Sequence, residues 1–212
     1  LIPAYNESEN LKILLKKIKK KYLNYETLVI VIDDGSNENI EEKFKNNLIN
    51  NTVFIRLNEN YGGGFALRVG FEFCLNANIQ TIITMDADNQ HSPKYINNFI
   101  KSHQFYKKRD HLIIGSRILG TPDKTSLNRF FGILFFSFIL RKLTNYKLSD
   151  CSSGFRLIKL ETIKKIKLEQ DQYHTCEFIL ECTKNNLNIS EIPITMKKRS
   201  FGSSKKGGDI AY

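Results

Sequence analysis

Ile79–Gln90, IQTIITMDADNQ, decides the fold. Its first part is a short apolar run without polar alternation, which suits a strand covered on both faces. The run stops at Asp86–Ala87–Asp88, where two carboxylates stand two residues apart. The same unit, an apolar run cut off by polar or acidic residues, recurs on the N-terminal side. Leu1–Ala4 is followed by Tyr5–Asn6–Glu7, and Leu28–Ile32 by Asp33–Asp34–Gly35–Ser36. Thr52–Leu57 and Leu112–Gly115 read as further strands. Helical patterns lie between them. Leu11, Leu14, Leu15, Ile18 and Tyr22 keep helical spacing behind Asn6, read as a cap with Glu9 three positions on. A polar helix is expected over Asn39–Leu48, another from Gly62–Gly63–Gly64 to Asn76, and a third after Ser92–Pro93, with proline in the first turn. Alternating strands and helices predict an α/β fold with a mostly parallel, doubly wound sheet. Beyond it come a helix over Arg129–Tyr146, an irregular stretch to Arg156, a helix near Cys176–Asn186 and a strand over Ile189–Met196. The basic, Gly/Ser-rich tail Lys197–Gly208 reads as a mobile loop.

The 212 residues fit one domain, 41% hydrophobic and 25% charged, which excludes a disordered chain. A net charge of +10 favours an anionic partner, although a solvated lysine face such as Lys16–Lys17 and Lys19–Lys20–Lys21 accounts for much of it. The aromatics lie mostly in apolar strands and helices rather than on a basic surface, which argues against nucleic acid. Cys74, Cys151, Cys176 and Cys182 form no C-x-x-C pair, and a reduced, cytosolic-side location follows. The chain opens at Leu1 inside an apolar run and reads as a fragment. Phe130–Leu140, FFGILFFSFIL, stands between Arg129 and Arg141–Lys142. As a helix it reaches only ~16 Å, and a spanning helix needs about 20 residues. It is therefore either a buried helix or an interfacial one held by its flanking cations. The sequence carries no signal for oligomeric state.

In open α/β sheets ligands bind beyond the carboxyl ends of the strands. Tyr5–Asn6–Glu7, Asp33–Asp34 and Asp86–Ala87–Asp88 all stand at such ends. Asp86 and Asp88 can converge on one hard divalent cation, Gln90 adds a neutral oxygen, and such cations share their ligands with substrate phosphates. A turn or helix cap is the plainer use of a lone D-x-D. Gly62–Gly64 lacks the spacing of a phosphate loop and reads as a tight turn. His91, beside the acidic loop, reads as structural.

Seven motifs carry a resemblance: Ile2–Pro3–Ala4–Tyr5–Asn6–Glu7; Ile32–Asp33–Asp34–Gly35–Ser36; Asp86–Ala87–Asp88–Asn89–Gln90; Gly115–Ser116–Arg117; Ser149–Asp150 with Gly154–Phe155–Arg156; Glu191–Ile192–Pro193; and the Arg199–Lys205 stretch. In this order they resemble the dolichol-phosphate mannose synthase branch of glycosyltransferase family 2, over nearly the whole chain. The resemblance implies a Rossmann-like GT-A catalytic domain over residues 1–212. Residues 1–120 would form the nucleotide-sugar part and 121–212 the acceptor side. It implies that Pro3, Tyr5 and Glu7 form the nucleotide-binding turn, and that Ile32 and Asp34 lie beside base and ribose. Asp86, Ala87 and Asp88 match the sugar-nucleotide loop, with Asp88, Gln90 and Asp86 as ligands of a divalent metal, Mg or Mn. Arg117 matches an arginine facing the sugar-phosphate region, Arg129 a further phosphate contact, and Arg199 and Lys205 the loop that closes over the diphosphate. The family often has Glu where this chain has Ser203.

The function expected is inverting, metal-dependent transfer of a hexose from a nucleotide sugar to a polyprenyl phosphate, dolichyl or undecaprenyl, with Asp88, Arg117 and Asp150 among the catalytic groups. The chain would sit peripherally at the cytoplasmic face of a membrane. The alternative is a family member acting on a sugar hydroxyl. That transfer needs a carboxylate base, and Asp150 is the candidate.

Overall fold

The computed structural model describes residues 1–22, 27–44, 51–105, 111–121, 127–144, 146–197, 199 and 201. The element order is β1 (Ile2–Ala4), α1 (Ser8–Tyr22), β2 (Val29–Asp33), α2 (Ile40–Phe44), β3 (Thr52–Arg56), α3 (Gly63–Asn76) and β4 (Thr81–Thr84). A 3-10 turn at Pro93–Tyr95 leads into α4 (Ile96–Phe105), then β5 (Leu112–Thr121) and α5 (Leu127–Thr144). The chain continues through β6 (Arg156–Lys159), α6 (Leu160–Ile163), α7 (His174–Lys184) and β7 (Ile189–Thr195).

β1, β2 and β3 form a parallel sheet, and β4, β6, β5 and β7 a mixed one, in those orders. The two are stitched at Leu1. Its nitrogen donates to the Ile83 carbonyl at 2.8 Å, and its carbonyl accepts the Met85 N–H at 3.1 Å. One residue bonding to two that flank its partner is the parallel ladder pattern, so β4 continues the sheet beyond β1. β4 and β5 both pair antiparallel to β6, and β7 runs parallel to β5. Thus β6 is the one strand among those described that runs against the rest. It was read from the sequence as the end of an irregular stretch.

Alternation within the buried strands assigns the two faces. Ile30 and Ile32 of β2 pack with Leu112, Ile114 and Ile158 against Ala66, Leu67, Phe71 and Cys74 of α3 and Phe178, Ile179 and Cys182 of α7. Val29 and Val31 face the other way, with Ile113 and Leu157, onto Leu11, Leu14, Leu15 and Ile18 of α1 and Phe99 of α4. Two apolar faces on a strand explain its unbroken β-branched run, because neither side can be polar without burying an unmet hydrogen-bonding group. Gly35 closes the turn after β2 with φ 68°, and a Cβ there would stand 2.2 Å from the Glu59 carbonyl carbon. That turn admits glycine on both counts.

One helix start differs from its expectation. Asn6 does not cap α1. It takes φ 51°, receives the Asn37 N–H on Oδ1 at 2.8 Å and donates its own N–H to Ser36 Oγ at 2.8 Å. Its bonds join the β1 and β2 ends, while Glu7 takes the place before α1.

α5 begins two residues before its expected start. It buries Ser137, Leu140 and Thr144 along one edge, and it exposes Phe131 (63%), Phe135 (61%), Phe138 (53%) and Leu143 on the other. Phe130–Leu140 is thus not a helix buried all round. No helix among the described residues is long and apolar enough to cross a membrane.

Candidate active site

β1, β2, β4 and β5 run parallel, so the residues that follow them emerge at one edge of the sheet. Glu7, Asp34 and Asp88 therefore share that edge, and Arg117 lies within β5 beyond Ile114, the last β5 residue paired to β6. Nearby lies an open cavity of about 310 Å³ lined by Asn6, Ser8, Ser36, Asn37, Glu38 and Ile40.

The two aspartates after β2 hold loops. Asp33 receives the Ser36 N–H at 2.9 Å and the Arg56 guanidinium at 3.2 Å. Asp34 receives the Tyr61 and Gly62 N–H groups at 2.9 and 3.0 Å, fixing the entry to α3. Burial raises the Asp34 pKa against the pull of those two amides. Ile32 is fully buried against α3, and its side chain offers a ligand no surface here. Pro3 and Tyr5 are half-buried, and Ala87 is buried.

The loop after β4 has a different character. Asp86 keeps about half of its side chain exposed, with Oδ2 3.6 Å from His91 Nδ1. His91 is buried, stacks on Phe155 and has no hydrogen-bond partner at Nδ1. Burial holds its pKa below the usual imidazole value, so it stands neutral. The Asp86 carboxylate lies over Gly154, where a Cβ would approach Oδ1 to 2.8 Å. A side chain there would push the Asp86 carboxylate aside. Asp88 receives the Gln90 N–H at 3.1 Å, and Gln90 Nε2 donates to the Lys197 carbonyl at 3.1 Å. The nitrogen being so committed, the Gln90 amide oxygen is the atom it can offer a cation. Two carboxylates and an amide oxygen make an all-oxygen donor set, and they fit a hard divalent ion that completes its shell with phosphate oxygens and water. Among the described residues no three His, Cys, Asp or Glu side chains converge as a closed metal cage.

Arg117 and Asp150 form a buried fork. Asp150 Oδ2 receives the Arg117 N–H at 3.0 Å and Nε at 2.7 Å, and Oδ1 receives Nη2 at 2.7 Å. Ser152 adds its N–H to Oδ1 at 3.2 Å. Burial alone would raise the Asp150 pKa, but the guanidinium outweighs it and the carboxyl titrates below its usual range. Burial likewise opposes the Arg117 charge, and the Asp150 partner more than restores it. Asp150 is thus engaged with Arg117 rather than open to an acceptor. A base must reach the acceptor proton, whereas Asp150 is 0% exposed and both its oxygens are taken.

The segment after β7 returns across this edge. Lys197 bonds Gln90 in both directions, by its N–H at 3.0 Å and by its carbonyl. Arg199 pairs with Glu7, and Asn10 Nδ2 donates both to Glu7 Oε2 at 2.7 Å and to the Phe201 carbonyl at 3.1 Å. Lys205 and most of the tail lie outside the described residues, as does the side chain of Arg129. Two residues to which the sequence reading gave no site role join this network. Lys17 of α1 donates to Asn89 Oδ1 at 2.8 Å, and Glu191 of β7 receives the Ser149 and Asp150 N–H groups at 2.8 and 2.9 Å. No local pattern could have shown either contact, because 72 and about 41 residues separate the partners.

Comparison with known proteins follows the same line. The family model described as glycosyl transferase family 2 matches residues 1–167. The UDP-N-acetylglucosamine–dolichyl-phosphate N-acetylglucosaminyltransferase of Methanococcus voltae is 32% identical over 92% of this chain and 83% of its own. The undecaprenyl-phosphate mannosyltransferase of Micrococcus luteus is 23% identical over 99% of this chain and 87% of its own. Among solved structures, glucosyl-3-phosphoglycerate synthase from Mycobacterium tuberculosis, in complex with Mn2+, UDP-glucose and phosphoglyceric acid, superposes with TM-score 0.70. That match has 15% identity and covers 95% of this chain and 71% of the other, a likeness of fold. With the family model spanning most of its length and an edge of carboxylates at the ends of its parallel strands, the chain belongs to glycosyltransferase family 2 and is a GT-A glycosyltransferase.

Proposed function

We propose that the chain transfers a hexose, with inversion, from a nucleoside-diphosphate sugar to a polyprenyl phosphate at the cytoplasmic face of a membrane. Asp88, Gln90 and Asp86 hold the divalent cation, Mg or Mn. The observation that carries the acceptor assignment is the phenylalanine face of α5. Its buried edge meets the loop that holds Arg117, where the Cys151 N–H donates to Ser137 Oγ at 3.2 Å one residue after Asp150. A water-soluble sugar acceptor has no use for such a face, while a lipid acceptor has to be met at a surface. The names of the relatives from Methanococcus voltae and Micrococcus luteus point to the same acceptor class.

In this reading Glu7 and the β1–α1 turn seat the nucleotide. Asp86, Asp88 and Gln90 would hold the divalent cation, which would supply positive charge to offset that of the departing diphosphate. Arg117 brings a fixed guanidinium to the same group, pre-oriented by Asp150, so little reorganisation accompanies bond breaking. Arg199, with Lys205 beyond it, exchanges its Glu7 partner for diphosphate oxygens, since guanidinium forks suit phosphate as well as carboxylate. The acceptor phosphate oxygen attacks the anomeric carbon as the bond to the diphosphate oxygen breaks. That oxygen is already anionic at neutral pH, and no base is required. The occupied state of Asp150 accords with this and disfavours the hydroxyl-acceptor alternative.

The test is a panel of nucleotide sugars incubated with the chain and MnCl2 or MgCl2, against polyprenyl phosphate in one arm and free sugars in the other. Transfer is expected to the lipid phosphate alone, and transfer to sugar hydroxyls alone overturns the proposal. The α5 face makes its own prediction. A buried Phe side chain contributes about 1.5–3 kcal/mol. Changing Phe131, Phe135 and Phe138 together to Ser is therefore expected to weaken binding to anionic liposomes by ~100-fold or more, with nucleotide binding and thermal midpoint little changed. Unaltered liposome sedimentation and lipid-acceptor KM would remove the face from the reaction.

A further inference from the structure

Glu191 lies in β7 opposite Ile114 of β5, three residues before Arg117. Its carboxylate spends both oxygens on one neighbouring segment. Oε2 receives the Ser149 N–H at 2.8 Å, and Oε1 receives the Asp150 N–H at 2.9 Å and the Ser149 hydroxyl at 3.0 Å. Ser149 Oγ also lies 2.6 Å from Ser116 Oγ, on the residue before Arg117. The segment thus clamped carries Asp150, whose side chain in turn grips the Arg117 N–H, Nε and Nη2. Arg117 Nη1 faces Met196 Sδ at 3.9 Å, too weak an acceptor to orient it. A half-buried carboxylate that accepts three bonds from two consecutive residues ties their backbone down, because donors left unmet beneath it are costly.

We infer that Glu191 is a positioning residue for transfer: it clamps Ser149–Asp150 and, through the Asp150 carboxylate, sets the angle at which Arg117 meets the donor diphosphate. The inference rests on the reading of Arg117 as a diphosphate contact. A guanidinium displaced by a fraction of an ångström still binds ground-state phosphate but meets the developing charge badly. The loss therefore falls on kcat rather than on KM.

The experiment uses the full chain with Glu191→Gln, Glu191→Ala, Arg117→Lys and the Glu191→Gln/Arg117→Lys double variant. Arginine Nε–H signals are recorded on 15N-labelled protein without donor, and the Arg117 signal is assigned by its loss in Arg117→Lys. Transfer from UDP-N-acetylglucosamine to dolichyl phosphate with MnCl2 is measured in parallel, or with the donor the panel selects. Gln keeps one acceptor oxygen but turns an NH2 towards a donor, so the clamp weakens while the shape stays. Glu191→Gln is expected to keep its thermal midpoint, to exchange the Arg117 Nε–H at least about tenfold faster, and to lose about 10–100-fold in kcat with donor KM within about threefold. In the Arg117→Lys background the same change is expected to cost little more, because the two act in one chain of contacts. An unchanged Nε–H signal in both Glu191 variants overturns the inference whatever the donor is. Faster exchange with wild-type kcat overturns it too, as does an equal fall in both backgrounds. Arg117→Lys at wild-type rate removes the reading of Arg117 itself, a failure told apart by that single variant.

Discussion

Asp88→Asn is expected to lower transfer by about 10³-fold or more while the fold stands, the scale of losing a charge that acts in the transition state. The substitution is nearly isosteric. Its amide oxygen still receives the Gln90 N–H that Asp88 receives at 3.1 Å, so the turn after β4 is kept. What disappears is one of two negative charges that would hold a cation against the diphosphate. Thermal unfolding without metal should therefore match the parent. The parent should gain stability from MnCl2 with nucleotide, and the variant should not, since a ligand that binds the folded state stabilises it in proportion to its affinity. Wild-type turnover by Asp88→Asn, or by the parent in excess chelator, would remove the metal assignment.

Asp150→Ala should damage stability as much as activity. It leaves Arg117, 7% exposed, without the carboxylate that takes its backbone N–H and two N–H groups of its guanidinium. Breaking a buried pair from one side costs about 3–5 kcal/mol, on the order of 10 °C in midpoint for a chain of this size. The sign with pH follows from the depressed pKa of Asp150. The pair stabilises the fold above the ordinary carboxylate value of 3.8 and ceases to do so as pH falls through the folded value. The difference between parent and variant is thus full at neutral pH and shrinks in strong acid. A general base exposed to its acceptor would behave otherwise, with turnover lost and midpoint retained. A midpoint within about 2 °C of the parent, less than 1 kcal/mol for this length, would return Asp150 to the role of base.

Much of the architecture could be read from residues alone, because parallel strands buried on both faces leave unbroken apolar runs. β1, β2, β4 and the start of β5 carried that mark, while β3 and β7 were legible as strands despite Arg56 and the Ser190–Glu191 pair. β6 was not. Its four residues open with Arg156, whose guanidinium is buried among the carbonyls of Cys151, Ser153 and Thr175. A short strand with a charge at its head has no signature of its own, and its antiparallel sense comes from the strands it separates. The same limit applies at the site. Clusters after apolar strands were visible as ligand-facing, but the partners of each carboxylate were not. The arginine that occupies Asp150 stands 33 residues earlier, out of reach of any local pattern. Asn6 looked like a cap because Ser36 and Asn37, which take its bonds, come from the next strand's turn. For α5, an apolar helix with phenylalanines all round has no preferred face in sequence, and contact with Cys151 and its neighbours decides which edge is covered.

The reversed strand also governs the order in which the molecule can assemble. β1, β2 and β3 pair among themselves within the first 56 residues. β4, by contrast, lies between β1, about 80 residues earlier in the chain, and β6, about 75 residues later. β5 waits for the same strand and then for β7. On a ribosome delivering about 5–20 residues per second, the centre of the sheet stays open for several seconds after β4 has been made. Its aspartate loop cannot be cradled by Gly154 until that interval ends. Such long-range closure slows folding, and it leaves an apolar strand edge exposed meanwhile. Refolding from denaturant should therefore be slower than that of helical chains of equal length.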